Sequence, residues 1–142
     1  MEKLKIKIGL EPVFFNHPPN LRISANNNTL VDGPLREPAV IEREVDFTED
    51  QTHTLNFTLY DKSKYDTELD NDGNIVKDTL IKISKLEIDD IDITGMLPID
   101  QEKFYYKHNS GTVGPFYDTM GVNGTATVEF TTPFYVWLLE TL

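Results

Sequence analysis

Five carboxylates crowd one short window of the chain: Asp66, Glu68, Asp70, Asp72 and Asp78, within the stretch YDTELDNDGNIVKD. The chemistry such a set could do is to bind a hard cation. Calcium takes six to eight oxygens, mixing carboxylates with amide and backbone carbonyls. Counted as an EF-hand loop, Glu68, Asp70 and Asp72 take positions 1, 3 and 5, and Gly73 takes position 6. Position 12 then falls on Thr79, with Asp78 beside it, and strand-like flanks replace the two helices. The window is therefore not an EF-hand. Two readings stay open: an irregular calcium site, or an Asp-Gly turn whose acids are the wet side of a strand.

A second group suits a different ligand. Tyr105, Tyr106, Phe116 and Tyr117 flank a glycine-rich stretch, together with Asn109, Asp118 and Asn123. Sugars offer apolar C–H faces to aromatic rings and hydroxyls to amides and carboxylates, so these seven are the expected ligand-binding residues. In the Phe-Tyr-Tyr run, neighbouring rings must face opposite sides of a strand, so one of Tyr105 and Tyr106 is expected outside. Trp137, between Val136 and Leu138, is expected in the core.

No catalytic signature competes with these groups. Cysteine is absent, which removes disulfides, thiolate nucleophiles and Cys-ligated metals. The three histidines, His17, His53 and His108, lie far apart and form no His-x-x-x-His pair. No serine sits in Gly-x-Ser-x-Gly, and no phosphate-binding glycine loop is present. The expected activity is binding, not catalysis.

Composition sets the outer limits. The 142 residues, 39% hydrophobic, suffice for one core, and a single domain over 1–142 is expected. The net charge of −11 repels phosphate backbones, so nucleic acid is not an expected partner. Residues 66 to 100 hold ten acids against three lysines, seven of those eleven negative charges. No run of 18 apolar residues suggests a membrane span, and no secretory leader is visible at the N-terminus, so synthesis in the cytoplasm without export is expected.

The elements that must position these groups are read from a period of two. Leu4, Ile6, Ile8 and Leu10 alternate with Lys3, Lys5, Lys7 and Gly9. Leu21, Ile23 and Ala25 repeat the pattern, as do Leu55, Phe57 and Leu59, and Ala126, Val128 and Phe130. Ile41 to Phe47 is a weaker strand, joined to the next by a polar, hairpin-like Thr48–His53. Between Leu80 and Ile93 the apolar parity changes twice, which demands a bulge at Ser84-Lys85 and a two-residue turn at Asp89-Asp90. Phe104–Lys107 is a further strand, His108–Gly124 a long loop, and the apolar FYVWLLETL after Pro133 a buried final strand. Eight to ten short strands without a helical stripe predict an all-β antiparallel sandwich, jelly-roll-like.

The order IKIGL, LRISANNNTLVDGP, HTLNFTLYDKS, DGNIVKDTLIKISKLEIDDIDI and GTATVEFTTPFYVWLLE resembles small proteins encoded by contractile-tailed phages of marine cyanobacteria. The resemblance implies a virion component whose sandwich is similar to carbohydrate-binding modules, calcium-dependent xylan-binding modules among them. A glycan or other virion proteins are then the expected partners. A virion structural or assembly protein with protein-only contacts is the alternative.

Overall fold

The computed structural model describes residues 1–99 and 101–141. The chain folds as an all-β antiparallel sandwich with one short helix. Thirteen strands are present among the described residues: β1 (Glu2–Val13), β2 (Asn20–Ala25), β3 (Asn28–Pro34), β4 (Ala39–Phe47), β5 (Thr52–Tyr60), β6 (Glu68–Leu69), β7 (Ile75–Lys77), β8 (Leu80–Ile88), β9 (Ile91–Asp92), β10 (Phe104–His108), β11 (Val113–Pro115), β12 (Thr119–Met120) and β13 (Gly124–Thr131). Helix α1 (Phe134–Thr141) follows.

One sheet runs β12-β8-β1-β4, with β9 folded back on β8; the other runs β11-β10-β13-β5-β2-β3. The inward residues of both form one core. Leu4, Ile6, Ile8 and Leu10 of β1 meet Leu21 and Ile23 of β2, Leu55, Phe57 and Leu59 of β5, and Val128 and Phe130 of β13. Each is at most 1% exposed. This is the layered arrangement that alternation demands, because a sheet apolar on one face must cover it with another.

The two parity changes sit where expected. Across β1 and β8, Gly9 pairs Lys85 and Leu10 pairs Ile83, so Ser84 is the extra residue of a bulge. At the β8–β9 turn, Asp89 and Asp90 have φ of 50° and 66°. Positive φ at both central residues matches the twist of a tight hairpin. The turn is also pinned to β1. Asp89 Oδ1 accepts from Lys5 N–H at 2.8 Å, and Asp90 lies 2.7 Å from Lys5 Nζ. These bonds give the aspartates a role that glycine would lack. β1 is a central strand, between β4 and β8, and its Lys5 pairs with Glu42 of β4 and Asp90 of the turn.

Three expectations need correction. Thr48–His53 does not join a hairpin: β4 pairs with β1, whereas β5 pairs with β2 and β13. The segment instead carries the chain from one sheet to the other. His53 locks it, with Nε2 2.7 Å from Thr48 O and Nδ1 3.1 Å from Asn26 Nδ2. A carbonyl partner requires the hydrogen on Nε2, which leaves Nδ1 as acceptor. The long loop 108–124 contains two short strands, β11 and β12, drawn onto the sheet edges at β10 and β8. The final apolar run is the helix α1, not a strand. Pro133 O accepts from Trp137 N–H and Glu2 carboxylate oxygens accept from Phe134 N–H, so both ends of the first turn find partners. Phe134 and Trp137, one turn apart, supply the buried side. A run apolar on every face carries no period to separate helix from strand.

Gly124 begins β13 where β10 passes closest. A Cβ there would stand 2.4 Å from Lys107 O and 3.0 Å from His108 Cα, both backbone atoms. Gly124→Ala is therefore expected to lower stability by about 1–3 kcal/mol, measured as a fall in the urea midpoint at unchanged slope. An unchanged midpoint would show that β10 and β13 stand further apart.

Candidate functional site

The acid window folds as a small structure beside the sandwich. Lys64–Asp66 is one 3₁₀ turn, and β6 pairs with β7 as a separate hairpin. Asp70 closes the hairpin. Its Oδ1 accepts from the N–H groups of Asp72 and Asn74, each at 2.9 Å, and Gly73 follows with φ 83°. The Asn74 N–H first, with that of Asp72, holds the Asp70 carboxyl below the usual range. Glu68 lies 3.7 Å from Lys77. Among the described residues no three Asp, Glu or His side chains gather as a metal would need. The five acids serve separate ends: Asp70 a turn, Glu68 a surface pair, Asp72 the exposed tip, and Asp66 and Asp78 the ground described next.

Asp78 is a hub. Its Oδ1 accepts from Lys62 Nζ at 2.7 Å, from Thr67 Oγ1 at 2.7 Å and from Thr79 N–H at 2.8 Å. Burial alone would raise its pKa, but these hydrogen bonds and the Lys62 charge outweigh burial and hold it low. Lys62 Nζ also donates to Gly121 O, and its backbone is latched by Asn123, which accepts from Lys62 N–H at 2.9 Å and donates to Lys62 O at 2.8 Å.

Asp66 caps the 3₁₀ turn. Its Oδ2 accepts from Ser63 N–H at 2.8 Å and Ser63 Oγ at 3.3 Å. Its Oδ1 has no hydrogen-bond partner although the residue is only 6% exposed. Thr79, 2% exposed, has an Oγ1 in the same condition. Both residues line one cavity of about 290 Å³ with His17, Pro18, Tyr60 and Lys62. His17 stands over Asp66, its Nδ1 3.7 Å from Oδ1, too long for a hydrogen bond, and its side chain is 78% exposed. Asp61, on the same wall, turns the chain with φ 59°. Lys62 and Ser63 also border a second cavity of about 310 Å³, with Thr67, Asp78 and Asn123.

Three connections build this floor: the loop after β1, the segment after β5, and the residue before β8. Asn16 Nδ2 donates to Tyr65 O at 2.9 Å and ties the first to the second. A buried polar atom left without a partner costs about 1–3 kcal/mol.

Of the seven aromatic and polar residues expected to bind ligand, Tyr106 and Phe116 lie ring to ring at 6.2 Å and Asn109 N–H donates to Asn123 O at 3.0 Å, but they do not share one exposed face. Tyr106 and Phe116 pack inside the core and offer no face to a ligand. Burial pushes the Tyr106 phenol up to about 12, and its hydroxyl donates to Val122 O. Tyr105 is the outward ring, half-buried, its hydroxyl donating to Glu129 at 2.9 Å. Tyr117 is exposed, Asp118 accepts from Thr119 Oγ1, and Asn109 lies on an exposed turn. Of the seven only Asn123 lines either cavity. Trp137 is in the core. His17, Tyr60, Lys62 and Thr79 carried no signal as site residues, because nothing local joins positions so far apart.

Comparison of the chain with protein-family models, with curated proteins and with solved structures returned no match. Among the described residues no helix is long and apolar enough to cross a membrane.

Proposed function

We propose that this protein is a non-catalytic binding module that takes one unit of a glycan into the cavity between His17 and Thr79, and that it works in a phage particle. The observation that carries the binding is that two residues of the cavity wall, Asp66 and Thr79, each hold a buried side-chain oxygen without a hydrogen-bond partner, Oδ1 and Oγ1. A polyhydroxylated ring supplies the hydrogen-bonding groups they lack, and Tyr60 and Pro18 supply apolar surface for its C–H face. The phage setting rests on the resemblance of the strand sequences. Calcium has no part in this reading, since Asp70 is engaged in its own turn and Asp78 with Lys62.

The test is a glycan array with the wild-type protein and Thr79→Val. Valine keeps the shape and removes the unpartnered oxygen. The variant is expected to gain about 1 kcal/mol in stability and to lose about tenfold in affinity for any glycan retained. A variant that is destabilised would mean that Thr79 Oγ1 has a partner, and the reading would lose its support.

A protein-only role in the particle has one observation of its own: Tyr135, Val136 and Leu139 of α1 face outward and are exposed. An array without any retained glycan would shift the weight to that role.

A further inference from the structure

We infer that the open edge of β4 takes an added strand from a partner protein, an extended segment with lysines at alternate positions and an apolar residue after them. This surface is separate from the His17–Thr79 cavity and does not depend on what that cavity binds.

β4 is the last strand of its sheet and pairs with β1 alone. The backbone groups along its other side are open to a further strand, as in peptide recognition by strand addition. Its outward face carries Glu42, Glu44 and Asp46, all exposed. β1 shows what this row accepts: Lys7, Lys5 and Lys3 stand directly opposite the three acids. Glu42 lies 3.6 Å from Lys5, while among the described residues Glu44 and Asp46 make no ion pair or side-chain hydrogen bond. Two carboxylates thus remain for a neighbour on the open side. The row ends at Val40, 67% exposed, opposite Gly9 of β1. There Glu11, Pro38, Ala39, Val40 and Ser84 frame a cavity of about 210 Å³, with room for one aliphatic side chain. The inward Ile41 and Val45 are only partly buried and gain cover from an added strand. A second copy of β4 is the wrong occupant. Pairing within one continuous sheet matches positions of one parity, so each antiparallel register that joins most of the strand sets acid against acid. Arg43, on the inward face, adds a charge of the kind by which edges refuse indiscriminate pairing. Run antiparallel against Asp46, Glu44, Glu42 and Val40, the fitting segment is Lys-x-Lys-x-Lys-x-apolar.

The experiment is fluorescence anisotropy of the full chain with three labelled, capped peptides. They are TKVKTKVV, its glutamate counterpart TEVETEVV, and KKKTTVVV, which keeps the composition of the first without its alternation. TKVKTKVV is expected to bind about tenfold more tightly than either of the others. Its amide shifts and slowed hydrogen exchange in NMR are expected on Ala39–Phe47. Glu44→Lys combined with Asp46→Lys, both at exposed positions, is expected to reverse the order, so that TEVETEVV binds better than TKVKTKVV. If the melt of that variant shows that it fails to fold, Glu44→Gln with Asp46→Asn is expected to shrink the preference for lysine over glutamate. An order that neither variant changes would overturn the acid row as the determinant. Equal binding of TKVKTKVV and KKKTTVVV would overturn strand addition, because net charge alone would then suffice. Binding with amide shifts outside β4, or no binding of TKVKTKVV, would overturn the proposal as a whole.

Discussion

Phe130→Ala should lower the stability of this protein by about 3–5 kcal/mol. Phe130 sits on β13, in the middle of the six-stranded sheet, and is 1% exposed. Its ring centroid lies 5.2 Å from that of Phe47 at 77°, 5.8 Å from His53, 6.1 Å from Phe134 and 6.2 Å from Trp137. It is the ring through which α1 and the sheet-crossing turn share one interior. Truncation removes the transfer free energy of a phenyl group and leaves a void between elements that cannot all collapse inward. A domain of this size holds about 5–15 kcal/mol in total, so roughly a fifth or more is at stake. In a thermal melt the midpoint should fall by roughly 10–15 °C, on the scale of a few degrees per kcal/mol. A loss below about 1.5 kcal/mol would mean that α1 refills the space and is not held against β13 by this ring.

Asp78→Ala should cost about 3 kcal/mol at neutral pH. Lys62 is 10% exposed and Asp78 22%, so alanine strands a largely buried ammonium with Gly121 O. Removing one partner of a buried pair costs about 3–5 kcal/mol, and the partial exposure of Asp78 argues for the lower end. Removing both is a different matter, because no charge is then left unpaired. Lys62→Met with Asp78→Val should therefore be closer to wild type than Asp78→Ala alone. The pH dependence has a definite sign. The folded carboxyl of Asp78 is held below its unfolded value of about 3.9, so its contribution is fully present above that value. It is lost as pH falls through the folded value. Urea unfolding at pH 7, 5 and 3 should show the gap between wild type and Asp78→Ala unchanged from 7 to 5 and narrowing at 3. A gap that widened at pH 3 would show that Asp78 is not the carboxylate held by Lys62.

What could be read from the sequence was whatever parity alone decides. The alternation of Leu4 to Leu10 or Leu55 to Leu59 names the inward face, since a strand has only two. The same rule located Ser84 as an extra residue and Asp89-Asp90 as a turn, because an apolar set cannot change face otherwise. Pairing is another matter. Nothing near Thr48–His53 distinguishes a hairpin from a crossing between sheets; that depends on β1 and β8 claiming one layer and on His53 reaching Asn26. The tail from Phe134 to Leu139 is apolar at every position, so its period is silent, and the deciding partner, Glu2, lies at the other end of the chain. Of the candidate site, the sequence singled out one residue, Asp66, as a cation ligand. The site's wall is assembled from positions 17 to 20, 60 to 63, 66 and 79, which come together only once β2, β5 and β8 have placed those loops side by side.

The central place of β1 has a consequence for how the molecule is made. Ile6 is flanked by Arg43 on one side and Ile88 on the other, the latter more than half a chain length away. As synthesis proceeds, one edge of this apolar ribbon waits bare until Leu80–Ile88 has been polymerised. Long-range pairing of this kind belongs to the slow, millisecond-to-second regime of folding. Lys3, Lys5 and Lys7 then act as gatekeepers on the nascent chain, their like charges keeping two such ribbons from zipping together before the proper neighbour arrives.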